Sequence, residues 1–151
     1  MCMVRPAAAV LAALIASGCV AGPDEVSDEL SENRRRWQAQ GIDDYEVAFR
    51  NVCFCDPEAV EPVILRVRDG VLVGVTRESD GRPVDPSQWG RYFTVDQAFE
   101  FLAAAENSGA HEVRVEYDPA LGFPTEAFVD HDPQVADEER GFQMGPLQPL
   151  R

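Results

Sequence analysis

The dipeptide Asp69-Gly70, set between the apolar alternations Val63 to Arg68 and Val71 to Thr76, limits the fold more than any other feature of the chain. A two-residue turn of the kind that joins twisted strands needs positive φ at both positions. Glycine takes that conformation freely and aspartate tolerates it, so Asp-Gly between alternating runs predicts an antiparallel hairpin. The pairing expected from such a loop sets Val67 opposite Leu72 and Leu65 opposite Gly74 on an apolar face. Sheets built from hairpins commonly keep one face wet and bury the other, so the chain must also supply a cover for the apolar side.

Two helices are predicted to be that cover. Over Asp24 to Gln40, Val26, Leu30, Asn33 and Trp37 share one face. Acids crowd the start of that segment, Arg34, Arg35 and Arg36 crowd its end in keeping with the helix dipole, and Gly41 caps it. The second helix begins at Thr94, where Gln97 completes a capping box and Phe93 is placed to staple onto Ala98. Its buried face is Ala98, Phe99, Leu102 and Ala105, and Gly109 ends it. Between the helices the period changes to two from Ile42, with Tyr45, Val47, Phe49, Cys53 and Cys55 on one side, ahead of the hairpin. The stretch from Glu78 to Phe93 holds Gly81, Pro83, Pro86 and Gly90 and reads as an irregular excursion. After the second helix, Val113, Val115 and Tyr117 alternate with charged residues, a loop runs through Asp118 to Pro124, and Thr125 to Asp130 returns. A last short strand is indicated over Arg140 to Met144, weakened by Gly141. The order α-β-β-β-α-β-β, with that last strand in addition, predicts an α+β domain: an antiparallel sheet with two helices on one face. The two halves echo each other faintly without a strict repeat.

The first 18 residues read as an export signal: Arg5 near the start, an uncharged run from Pro6 to Ala16, then Ser17-Gly18-Cys19. That run is too short to span a bilayer, which takes about 20 apolar residues in a helix. Ile15-Ala16-Ser17-Gly18-Cys19 resembles the bacterial lipobox, with Ala16 where leucine is usual, so Cys19 is the expected lipidation site and the new N-terminus. Two or three acyl chains hold a protein to a membrane firmly where one does so only marginally. Val20 after the cysteine, in place of aspartate, points to the outer membrane in a host that has one, and otherwise to the outer face of the cytoplasmic membrane. The expected organisation is signal peptide 1–18, lipid-anchored tether 19–23, a single domain 24–145 and a flexible C-terminal tail 146–151.

Cleavage removes only Arg5 among the charges, leaving 12 basic against 27 acidic residues in a mature chain of 133. A field of that sign repels phosphate backbones and anionic headgroups, which argues against nucleic acid as a partner and against electrostatic membrane docking. The membrane partner is reached through lipid alone, and an envelope protein or ligand remains to be supplied as the other partner. A mature chain of this size buries roughly two thirds of its unfolded surface. A core can therefore form without disulfides or metal.

Few residues carry chemistry. Cys53 and Cys55 are the natural pair outside the cytoplasm once Cys19 is lipidated, as a structural disulfide, as buried or reduced thiols, or as a redox or metal-binding element. In a regular strand residues two apart stand about 7 Å apart, so bonding requires the strand to end or kink near Phe54. Asp130, Asp132, Asp137 and Glu138 place carboxylates in one loop where a hard ion such as calcium would find oxygen, although the EF-hand spacing is missing. His111 and His131 sit in no hydrolase context, and no glycine-rich phosphate loop occurs, so no catalytic residue is assigned. Trp89, Tyr92, Tyr117 and Phe123 are the candidate binding surface, carried by the excursion Glu78 to Phe93 and the loop Asp118 to Pro124. Non-enzymatic binding or structural work follows as the leading expectation, with a metal- or redox-responsive envelope protein as the alternative.

Several of these motifs stand together in a known family. Asp44-Tyr45 followed by Cys53-Phe54-Cys55, the Val67 to Val75 hairpin, Thr94-Val95-Asp96 before Phe99, Tyr117-Asp118-Pro119 with Leu121-Gly122-Phe123-Pro124, then Asp130 and Ala136-Asp137-Glu138-Glu139 resemble domain of unknown function 6174 (DUF6174). The resemblance covers about residues 33–144. It implies an envelope location, often with a lipid anchor, and supplies no activity.

Overall fold

The computed structural model describes residues 23–135 and 137–151, with side chains from Asp28 onward. The signal peptide 1–18, Cys19 and the tether as far as Gly22 lie outside the described residues, as does the side chain of Val26. Helix α1 runs Pro23–Gln40 and buries Leu30, Asn33 and Trp37. It ends at Gly41, whose N–H donates to the Gln38 carbonyl at 3.2 Å. The arginine triplet stops short of the helix end, and the last turn carries no basic residue. The dipole account of the triplet is thereby corrected: Arg36 pairs with Glu32 at 3.4 Å and donates to the Pro119 carbonyl at 3.4 Å, fastening α1 to a distant loop.

Three strands follow, β1 Tyr45–Cys53, β2 Val63–Arg68 and β3 Val71–Arg77. The turn has positive φ at both central residues, 49° at Asp69 and 72° at Gly70. Val67 stands opposite Leu72 as the loop length dictates, but Leu65 stands opposite Val75 instead of Gly74. The turn sets register only beside itself; one extra residue of β3 is taken up in a bulge between the Arg66 and Val67 pairs, and every pair beyond it is displaced. Asp44 clips the hairpin to β1: its carboxylate accepts from the Asp69 N–H and from Arg68, both at 2.8 Å. Those two donors, the Asp69 N–H first, hold the Asp44 carboxyl below the usual range.

The excursion after β3 doubles back on the sheet edge, Val84 N–H donating to the Val75 carbonyl at 2.9 Å. It then forms a short 3-10 turn, Pro86–Arg91, whose first N–H groups are met by Asp85. Helix α2, Val95–Asn107, opens with the capping box of Thr94 and Gln97 and buries Val95, Ala98, Phe99, Leu102 and Ala105. Phe93, just ahead of it, lays its ring on Phe101 at 5.2 Å. The strands β4 Glu112–Tyr117, β5 Pro124–Asp130 and β6 Arg140–Pro149 complete the chain.

The six strands form one antiparallel sheet in the order β3-β2-β1-β6-β5-β4. The first three run from the centre to one edge, α2 crosses the face to the other edge, and the last three return to the centre. This mirrored course explains why the halves echo without repeating. Both helices lie on one face. Trp37 of α1 meets Tyr45 edge-on at 5.6 Å, and the Tyr45 hydroxyl accepts the buried N–H of Val95, which opens α2, at 2.9 Å. Leu65, Val67, Phe49, Val129 and Phe142 from the sheet join the two helices in a single core.

The last strand is the main departure from expectation. It is ten residues long, lies between β1 and β5, and reaches past the boundary placed at 145, so residues 146–149 are sheet and not tail. Leu147 stands opposite Val47 and Pro149 opposite Tyr45. Pro146 is accommodated because it lies at a bulge between the Val47 and Phe49 pairs, where a ladder hydrogen bond is already missing. Gly141 is there because β5 leaves no room for a side chain: a Cβ would stand 2.1 Å from the Ala127 carbonyl oxygen.

Candidate binding site

The excursion brings its aromatic residues against α2 and the start of β3. Trp89 is held from below, its Nε1 donating to the Val84 carbonyl at 3.0 Å. Tyr92 is buried and meets Phe49 edge-on at 5.9 Å, and burial pushes its hydroxyl pKa above the ordinary value. Phe93 stacks on Phe101. With Leu72 these rings wall a cavity of about 580 Å³, open to solvent, to which Gln97 and Glu100 of α2 add the polar groups. Ligand sites typically occupy roughly 300–1,000 Å³, lined by apolar and aromatic groups with a few polar ones. The cavity falls within that range of volume and is a broad, open depression with a mixed aromatic and polar lining.

The other expected surface residues go elsewhere. Phe123 is buried beneath Trp37, with ring centroids 6.2 Å apart, and belongs to the core. Its loop is drawn inward by Gly122, where a Cβ would stand 2.8 Å from the Asn33 carbonyl oxygen of α1. Tyr117 stacks on Phe99 at 6.4 Å and lines a separate, polar groove with Glu29, Glu32 and Arg36. Its hydroxyl is buried without a hydrogen-bond partner, and desolvation, with Glu29 and Glu106 nearby, raises its pKa. Trp89 and Tyr92 therefore share a site, while Tyr117 and Phe123 do not join them.

Phe93 closes the excursion expected to carry the surface, whereas Leu72, Gln97, Glu100 and Phe101 were not expected at the site. One signal was present: Phe101 stands two places after Phe99, so on a helix it falls off the buried stripe, and a large aromatic there calls for a use. Leu72 carried no such signal, since its place depends on how β3 lies against α2.

The acidic loop does not assemble as a cation site. Among the described residues no three His, Cys, Asp or Glu side chains converge to hold a metal ion. Asp132 is spent on the Gln134 N–H at 2.9 Å, and Glu138 accepts from the Asp132 N–H. Asp130 is buried, with Oδ1 unpartnered, and Asp137 is exposed with φ 74°. Of the four carboxylates expected to share an ion, Asp132 and Glu138 are tied to their own loop, while Asp130 is buried apart from them and Asp137 is turned to solvent. His111 and His131 are both exposed.

Cys53 and Cys55 are joined by a disulfide, with their Cα atoms 5.3 Å apart. That separation is shorter than the repeat of a strand, and β1 ends at Cys53 to permit it. The bonded pair carries Phe54 at 82% exposure, beside Val52 on the uncovered side of the sheet at 42%.

Taken together, an antiparallel six-stranded sheet covered on one face by two helices, with an aromatic-lined cavity at the margin, defines a small α+β domain. The sequence profile of the family of unknown function DUF6174 matches residues 29–149, and the chain belongs to that family. The match reaches the end of β6, in agreement with the corrected domain boundary. No curated protein matches the chain. No solved structure matches it either.

Proposed function

We propose that this chain is the globular part of an exported, lipid-anchored envelope protein that works by binding, with the aromatic cavity as its contact surface and no chemistry of its own. The observation that carries the reading is the bonded Cys53–Cys55 pair, downstream of a signal-like start that ends at Cys19. Disulfides persist where the compartment is oxidising, which supports export. No helix among the described residues is long and apolar enough to cross a membrane. Attachment then rests on acyl chains at Cys19, at the outer membrane where the host has one and otherwise on the outer face of the cytoplasmic membrane. Only Val20, Ala21 and Gly22 separate that cysteine from α1, so the domain is held close to the bilayer.

Intact mass and detergent phase partitioning of the exported protein test this. A chain beginning at Cys19 and carrying a diacylglyceryl group enters the detergent phase, while Cys19→Ala moves it to the aqueous phase. An unmodified mass with aqueous partitioning of the unaltered protein overturns the anchor. A second reading, that the cysteine pair serves a thiol partner, is favoured by one observation, the exposure of Cys55 just beyond the end of β1. A thiol count on freshly isolated envelopes decides it: no free thiol at Cys53 and Cys55 under any growth condition leaves the bond purely structural.

A further inference from the structure

The cavity beside α2 has a chemical bias that its size alone does not convey. Three partly exposed rings, Trp89, Phe93 and Phe101, and the buried Tyr92 contribute to its wall, and aromatic rings carry a negative charge density on their faces that attracts cations. The formally charged residue of the lining is Glu100, an exposed carboxylate, and Gln97 is a neutral neighbour; behind the wall Tyr92 feels Arg91 and Arg77 on one side and Glu61 and Glu58 on the other, charges that oppose each other. The whole chain bears a formal charge of −14, a field that raises the local concentration of cations and depletes anions.

We propose that this cavity binds a small organic cation, a quaternary or alkylated ammonium group. The proposal deepens the reading of the cavity as the contact surface and rests on it. Each class of competitor meets an obstacle in the wall. A bare divalent ion wants six or more oxygen ligands, or a compact set of nitrogen and oxygen donors, and one carboxylate with one amide falls short. An anion is opposed by Glu100 and by the ring faces. A neutral apolar molecule gains the burial but leaves the carboxylate and the ring quadrupoles unused. An ammonium clothed in methyl groups matches each part of the lining: its methyls suit Leu72 and the rings, and its diffuse positive charge suits both the aromatic wall and the Glu100 carboxylate. The wall is also held in place in advance, Trp89 by its bond to Val84 and Phe93 by its stack on Phe101, so little ordering is required on binding.

The test compares two probes of equal shape: choline, and 3,3-dimethylbutan-1-ol, in which carbon replaces the charged nitrogen. Each is titrated calorimetrically into purified protein carrying Cys19→Ala, so that the lipid anchor plays no part in the result. Choline is expected to bind at least tenfold tighter than its neutral isostere. Glu100→Gln is expected to weaken choline binding up to about fivefold, the scale of an exposed ion pair, and to leave the alcohol unchanged. Trp89→Leu is expected to abolish choline binding; where that variant does not fold, Trp89→Phe keeps an aromatic face and is expected to weaken it severalfold. Flotation with phosphatidylcholine vesicles against phosphatidylglycerol vesicles separates the sources of the group. Retention on the former alone assigns a lipid headgroup, and binding of free choline without retention assigns a soluble ligand. Equal affinity for the two probes, or binding of neither choline nor phosphatidylcholine, overturns the proposal. That failure leaves the anchor untouched, because the anchor is judged by mass and partitioning.

Discussion

Single atoms decide whether the centre of the sheet can close. At Gly141 a Cβ would stand 2.1 Å from the Ala127 carbonyl oxygen and 3.1 Å from its carbon, so even the smallest side chain collides with backbone that cannot rotate away. Overpacking a well-filled site typically costs about 1–3 kcal/mol, and a clash with a paired strand belongs at the upper end. Gly141→Ala is accordingly expected to destabilise the domain by about 3 kcal/mol, read as a lower urea midpoint at unchanged slope. The Tyr45 hydroxyl is a second such point, since it meets the N–H of Val95, a residue with 0% exposure. Tyr45→Phe keeps the ring against Trp37 and leaves that donor orphaned, at an expected cost of about 1–3 kcal/mol. A loss under a few tenths of a kcal/mol in urea titration would mean that Val95 finds water instead. Neither residue announces its role in the sequence. Gly141 reads as a strand weakener because the carbonyl that requires it belongs to another strand, and Tyr45 reads as one more apolar position because its partner lies 50 residues away.

At the level of elements, what is legible is what a few neighbouring residues settle among themselves. Thr94 and Gln97 satisfy each other's backbone within one turn, and Asp69-Gly70 takes its positive φ values whatever the rest of the molecule does, so both are found where the sequence puts them. Strand β6 is the opposite case. Gly141, Gly145 and Pro146 look like breakers in isolation, and only the proximity of β5 and the bulge against β1 turn them into requirements of a central strand. The cavity divides along the same line: Trp89 and Tyr92 lie in one local excursion and stand out, whereas Leu72 and Phe101 join them through packing between elements. A prediction separates the tail from the strand. Deleting residues 146–151 removes the pairs of Tyr45, Glu46 and Val47 with Pro149, Gln148 and Leu147 and exposes the edge of β1 in mid-sheet. Circular dichroism of that truncation is expected to show no cooperative melt, while deletion of the exposed Arg151 alone leaves the midpoint within a few degrees. Native-like melting of the longer truncation would return 146–151 to the status of a tail.

For the molecule as a whole, stability comes from one core shared by both helices and all the sheet's covered face, and the disulfide adds little to it. Cys53 and Cys55 are two apart in sequence, and closing so small a loop removes little chain entropy, about 1–2 kcal/mol by the usual relation. Reduction, or the double substitution to serine, is expected to lower the melting midpoint modestly and leave the domain folded. Alkali is a different matter, because the three tyrosines of the chain all have raised pKa values, chiefly through burial. Tyr45 is pushed from 10.0 to about 12, so the folded state holds its proton after the unfolded chain has released it. The stabilisation this represents is complete below pH 10 and is withdrawn as pH rises through about 12, because over that interval the unfolded state binds fewer protons. Tyr45 alone then accounts for a loss of about 2 kcal/mol by pH 11.5, and Tyr92 and Tyr117 add to it in the same direction. Urea unfolding at pH 8 and pH 11.5, alongside tyrosinate absorbance, is expected to show ionisation and unfolding advancing together, with Tyr45→Phe less sensitive to alkali than the parent. Free ionisation of all three tyrosines near pH 10 in a chain that stays folded would mean that the helices do not seal the sheet as described.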